Sequence, residues 1–115
     1  MNREFVIRMF ATVDARDWER LADFFHPDLV YHRPGYAPLV GRDAVLHFYR
    51  EVRVIGSGGH QLAAVVVDGD HGACWGRFVG AQKDGTPVDV EFADCYGFQD
   101  GRLRTRKSFF YLPYV

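Results

Sequence analysis

The chain has 115 residues, a formal net charge of −1, and 48% apolar and 16% aromatic residues. That length makes one domain, residues 1–115, able to bury roughly two-thirds of the surface its unfolded form exposes. The composition excludes a disordered chain, and with no basic block longer than RLRTRK the charge pattern excludes an electrostatic nucleic-acid surface. No apolar run reaches the length of a membrane-spanning helix, and the N-terminus lacks a signal-peptide pattern. The expectation is a soluble, cytoplasmic protein with no membrane or nucleic-acid partner. Two cysteines are too few for a secreted disulfide scaffold, and no Cys/His spacing matches a zinc site, so no metal is expected.

The stripe Phe5, Val6, Met9, Phe10 and Val13 predicts a helix over Arg3–Asp14. A second helix starts at Asp17, a capping residue, and turns Trp18, Leu21, Ala22 and Phe25 inward. A short strand, Leu29–Arg33, runs into the turn-rich Pro34-Gly35-Tyr36-Ala37-Pro38. The third helix follows Gly41 and groups Ala44, Val45, Phe48, Tyr49 and Val52. Gly56-Ser57-Gly58-Gly59 reads as a loop. It follows a helix and precedes a strand, so it is no phosphate-binding motif.

Strands are predicted near His60–Val67, Ala73–Gln82, Pro87–Phe98 and Leu103–Leu112, separated by Asp68-Gly69-Asp70, Lys83-Asp84-Gly85 and Gln99-Asp100-Gly101. Helices first and a meander afterwards give an α+β fold, with helices packed on one face of a curved antiparallel sheet.

Val88, Val90, Phe92, Tyr96 and Phe98 alternate along one strand, and Asp94 falls in phase with them. A carboxylate on an apolar face costs several kcal/mol unless it is paired or protonated, so Asp94 is the leading site candidate. A two-residue Asp84-Gly85 turn sets Trp75 opposite Asp94 and Arg77 opposite Phe92, and a three-residue turn ending in Gly101 sets Arg106 opposite Asp94. On that register the inner face carries Trp75, Arg77, Asp94, Tyr96, Arg106, Ser108 and Phe110. The outer face puts Cys74 across from Cys95, beside Gly76, Phe78, Gly80, Ala93, Phe109 and Tyr111. That small and aromatic surface suggests a homodimer through the outer sheet face.

The string HPDLVYHRPGYAPLVGRDAV and the ending FADCYGFQDGRLRTRKSFFY resemble the SnoaL-like members of the nuclear-transport-factor-2-like superfamily. The resemblance covers most of the chain. It implies a cystatin-like sheet wrapped as a cone around a pocket, closed by three N-terminal helices and commonly dimeric. Ketosteroid isomerases of this superfamily carry a protonated strand aspartate, at the position of Asp94, that donates to an oxyanion. Their tyrosine donor would fall on Met9 and their carboxylate base on Arg33, so that mechanism lacks both partners here. Limonene-type epoxide hydrolases keep Tyr31 alone, since Arg33, Trp75, Arg77 and Ser108 stand where their Asn, Arg and two Asp belong.

SnoaL-type polyketide cyclases remain. In them a pocket aspartate serves as acid/base in an aldol closure, which implies Asp94 as the catalytic group and no cofactor. Tyr31, Arg33, Trp75, Arg77, Tyr96, Arg106, Ser108 and Phe110 would line the substrate site. Three inward guanidiniums, Arg33, Arg77 and Arg106, against one carboxylate favour a carbonyl-bearing or anionic small molecule. Two readings of Asp94 stay open: acid/base catalyst, or half of a buried ion pair that holds two strands in register. A binding or assembly module of the same fold is the corresponding alternative function.

Overall fold

The computed structural model describes residues 1–112. The helix predicted over Arg3–Asp14 forms as α1 with those bounds, and Asn2, in extended backbone, caps it by accepting the Phe5 N–H at 3.2 Å. Val6, Met9, Phe10 and Val13 are its buried stripe. Asp17 caps the next helix by accepting the Arg20 N–H at 3.2 Å. That helix, α2, is short (Trp18–Leu21), followed by one 3-10 turn, Ala22–Phe24. Phe25, predicted on the helix, opens strand β1, Phe25–His32. A two-residue strand, β2 (Leu39–Val40), lies at the sheet edge beside β1.

Gly41, at φ 92°, lets the chain turn into α3, Arg42–His47. The helix widens into a π-turn, Phe48–Val52, and closes on Arg53, whose N–H reaches the Phe48 carbonyl at 2.8 Å. Four long strands complete the chain: β3 (Ile55–Asp68), β4 (His71–Gln82), β5 (Pro87–Gln99) and β6 (Arg102–Tyr111). Gly56–Gly59, expected as a loop, belongs to β3. The six strands run in the order β2-β1-β6-β5-β4-β3, parallel where β1 meets β6 and antiparallel elsewhere.

Two glycines bend the sheet. A Cβ on Gly76 would sit 2.1 Å from the Gln61 carbonyl oxygen, and one on Gly80 would sit 2.1 Å from that of Ser57. Only hydrogen side chains let β3 fold this closely over β4. Bulges between Ile55 and Ser57 and between Leu62 and Ala64 add to the bend. The helices pack into the concave side, and their stripes join Leu29, Tyr31, Cys74, Phe92, Tyr96, Phe98 and Leu103 in one core.

The hairpin registers differ from the predicted ones. Gln82 pairs with Thr86 across a three-residue loop, Lys83-Asp84-Gly85, with Gly85 at φ 90°. Cys74 therefore stands opposite Asp94, and Trp75 opposite Ala93. A one-residue shift turns a whole strand over. Cys74, Gly76, Phe78 and Gly80 face inward, contrary to the prediction, while Trp75 is 48% exposed on the outer face. Cys74 and Cys95 do not pair: one is buried in the core and the other is exposed on the opposite face. The β5–β6 hairpin turns through Asp100 and Gly101, at φ 54° and 71°, and pairs Gln99 with Arg102. A bulge at Gly97/Phe98 adds one more residue, so Asp94 faces Ser108 and Tyr96 faces Arg106.

Candidate functional site

The alternation of β5 brings Asp94 inward, where it is 1% exposed. Burial at this depth demands partners, and three side chains supply them, with three hydrogen bonds and one ion pair. Ser108 Oγ donates to Oδ1 at 2.6 Å. Tyr96 Oη donates to Oδ2 at 2.8 Å, and Arg106 grips the same oxygen through Nε at 3.0 Å and Nη2 at 2.9 Å. Arg106 is two residues out of its predicted pairing but on the predicted face, so it still reaches the carboxylate diagonally.

The network extends both ways. Arg106 Nη1 donates to Tyr49 Oη at 2.6 Å, and Cys74 Sγ lies 3.2 Å from Tyr96 Oη. Arg33 Nη1 donates to Tyr31 Oη at 3.0 Å, and Tyr31 lies 2.8 Å from Ser108 Oγ. With Ser108 donating to Asp94, its oxygen takes the Tyr31 proton. The result is a relay from the rim to the carboxylate: Arg33, Tyr31, Ser108, Asp94.

Burial raises the pKa of Tyr31, with Arg106 offsetting part of the rise, and raises that of Tyr96 further because Asp94 adds to it. Both stay neutral donors. Burial likewise pushes the Cys74 thiol up to about 11, against the hydrogen bond with Tyr96. It also works against charge on Arg106, but Asp94 and the surrounding tyrosines outweigh it and hold the guanidinium well above its ordinary value.

Asp94, Ser108 and Arg106 form one wall of a cavity of about 410 Å³. Ile55, Phe78, Val88, Val90, Phe92 and Phe110 supply apolar walls, and Arg33 and Arg53 add two more guanidiniums. The size is that of a small-molecule site. Of the predicted residues, Arg33, Asp94, Arg106, Ser108 and Phe110 line this cavity, and Tyr31 and Tyr96 stand behind it as hydrogen-bond partners. Trp75 and Arg77 do not belong to it. The three-residue loop turns both outward, and Arg77 forms an exposed bidentate pair with Asp89 at 2.5 and 2.8 Å.

Arg53 and His60 were not predicted. Arg53 closes the π-turn and lies over the rings of Tyr49 and Phe78 at 5.3 and 5.6 Å. His60 sits among Phe10, Phe78 and Phe92. Its Nδ1 lies 2.5 Å from Asp14 Oδ1, and its backbone N–H donates to Asp14 Oδ2 at 2.9 Å. Burial lowers the imidazole's pKa, with Asp14 opposing and Arg106 and Arg53 adding to the fall. The bulges of β3 hid its inward phase. Among the described residues, no three His, Cys, Asp or Glu side chains converge to hold a metal.

A curved, unclosed six-stranded sheet, with helices at its N-terminal end packed into the concavity, is the nuclear-transport-factor-2-like architecture. The chain belongs to the SnoaL-like domain family, whose profile matches residues 6–105. Among solved structures, a nuclear-transport-factor-2-like protein from Burkholderia pseudomallei K96243 is 19% identical, with TM-score 0.85 over 96% of this chain and 92% of its own. A protein of ketosteroid-isomerase-like fold from Catenulispora acidiphila DSM 44928, solved with trimethylamine, is 19% identical, with TM-score 0.84 over 100% of this chain and 91% of its own. TerC, co-crystallised with polyporic acid, is 21% identical, with TM-score 0.82 over 94% of this chain and 89% of its own. At such identities the likeness is one of fold alone. No curated protein matches the chain significantly.

Proposed function

We propose that this protein is a small-molecule pocket enzyme of the cyclase or isomerase class, with Asp94 as the group that moves a proton beside a carbonyl. The observation that carries the reading is a buried carboxylate set in the wall of a 410 Å³ cavity. Asp94 Oδ2 is saturated by Tyr96 and Arg106, but Oδ1 accepts only from Ser108 and keeps a second acceptor position. That oxygen takes the proton from a carbon next to the substrate carbonyl. The C–H electron pair moves into a carbon–carbon double bond, and the carbonyl oxygen becomes an enolate facing the cavity guanidiniums. In an isomerisation the proton returns to another carbon. In an aldol closure the enolate carbon attacks a second carbonyl, and the new alkoxide takes the proton back. Neither course needs a cofactor.

The filled acceptor positions on Oδ2 favour a second reading, a ligand-binding module in which Asp94 only neutralises Arg106. Solvent-deuterium incorporation beside the carbonyl of cavity-sized benzo-fused ketones, beginning with 2-tetralone, separates the two. The protein should accelerate exchange, and Asp94→Asn should lose about 10²–10⁴-fold of that acceleration per folded molecule. No acceleration across the panel, or an unaffected variant, leaves the binding module as the surviving reading.

We also propose that two copies pair through the outer sheet face. Val66, Trp75, Val79, Phe109 and Tyr111 are exposed there, an apolar surface that a second copy would cover. Sedimentation should give twice the chain mass, and Trp75→Glu with Phe109→Glu should halve it. A wild-type protein that sediments as a single chain overturns the pairing.

A further inference from the structure

Arg53 is 6% exposed, and its Nε is buried without a hydrogen-bond partner among the described residues. Of the cavity's three arginines, Arg106 is matched by Asp94. Neither Arg53 nor Arg33 joins an ion pair among the described residues. Arg33 at least donates to Tyr31 and lies over Phe48 and Phe110. Among the described residues Arg53 has only ring faces. Contacts with ring faces recover part of what a guanidinium loses on leaving water, but they fill none of its directional N–H positions. Burial and the neighbouring Arg33 and Arg106 press against its charge, while only tyrosines favour it.

A buried cation left in this state is costly, and a fork of N–H donors fits a carboxylate better than any neutral group. Apolar side chains share the wall with Arg53: Ile55, Phe78, Val88 and Val90 line the same space. A hydrated inorganic anion would gain nothing from those side chains. An organic acid with a ring-sized apolar body would satisfy both halves.

We infer that Arg53 is the receptor for a carboxylate on an apolar, ring-containing ligand, which places a second polar subsite in the cavity apart from Asp94. The inference rests on the reading of this cavity as a small-molecule site and names the chemical class it takes. It does not depend on catalysis. The subsite fixes one end of the ligand, so that the rest of the molecule spans the apolar wall toward Asp94.

The test is calorimetric titration at low salt with 2-naphthoate and its neutral counterpart, 2-naphthamide. The wild type should bind the carboxylate at least about tenfold more tightly, the difference expected of one charge-assisted fork. Arg53→Met should reduce that preference below about twofold with the amide's affinity retained, and Arg53→Lys should keep an intermediate preference. The Met variant should melt no lower than the wild type without ligand, because it removes an unmatched buried charge, whereas a merely structural arginine would lower it. Equal affinity for the two probes, or a preference that survives Arg53→Met, overturns the subsite and leaves the cavity reading standing. Failure of both probes to bind at millimolar concentration overturns the two together.

Discussion

Asp94→Asn is expected to lower the free energy of unfolding by about 3–5 kcal/mol, the usual consequence of removing one partner of a buried ion pair. The shape is preserved, and an amide oxygen can still accept from Tyr96. What disappears is the countercharge to Arg106, which is 5% exposed and has no other carboxylate among the described residues. The double replacement Asp94→Leu with Arg106→Met should recover most of the loss, since neither half of the pair is then left without its partner. Ser108 keeps Tyr31 and Tyr96 keeps Cys74 in that background, so few polar groups are orphaned. Urea denaturation of Asp94→Leu, Arg106→Met and the double variant measures the coupling directly. A loss under about 1 kcal/mol for Asp94→Asn would show that the carboxylate is not the pair's electrostatic partner. The double variant also separates the two roles of Asp94: it should fold and yet be inert in the deuterium-exchange assay.

Gly76→Ala should cost about 3 kcal/mol or more, at or beyond the upper end for overpacking, because the obstacle is backbone. The added methyl would meet the Gln61 carbonyl oxygen at 2.1 Å and Leu62 Cα at 3.0 Å, and neither can rotate away. Relief requires β3 to lift from β4, which opens the curvature that surrounds the cavity. Gly59→Ala is the matched control on β3. Its methyl finds nothing nearer than Asp14 Oδ2 at 3.9 Å, so its effect should stay within about 0.5 kcal/mol. Thermal unfolding of the pair decides the matter. Similar melting temperatures would mean that the sheet's bend does not depend on a bare backbone at position 76.

Much of the molecule was legible from local patterns. The α1 stripe and the Asp17 cap lie within one or two turns, so no tertiary information was needed to find them. Asp94 announced itself by phase: its neighbours on β5 are all apolar and alternate with period two. The register of β4 was not legible, and the reason is chemical. The same Asp-Gly dipeptide closes the hairpins at both ends of β5 but builds different turns. At Asp84-Gly85 only the glycine is left-handed, and Asp84 accepts the Thr86 N–H at 2.9 Å, which makes a three-residue loop. At Asp100-Gly101 both residues are left-handed, which makes a two-residue loop.

The first difference moved one strand by one residue and reversed its faces, carrying Trp75 and Arg77 out of the site. In the β5–β6 hairpin the turn and the Gly97/Phe98 bulge each contributed one residue. The two shifts restored the face, so Arg106 and Ser108 stayed inside although their predicted partners were wrong. Arg53 was beyond reach for another reason. A residue at the close of a π-turn belongs to neither helical nor strand periodicity, and no alternation marks it as inward.

The glycines that bend the sheet also constrain how this family member can change. Loss of one residue from the Lys83–Gly85 loop would slide β4 against β5 and present Trp75, Arg77 and Val79 to the interior in place of Cys74, Gly76, Phe78 and Gly80. Two of those displaced positions are the ones that tolerate no side chain beneath β3. A one-residue deletion at that loop is therefore barred as a route to new ligand preference. Diversification is channelled into single exchanges on the strands across the cavity, at positions such as Val88, Val90 and Phe110, where each replacement alters one patch of wall and leaves the frame in place.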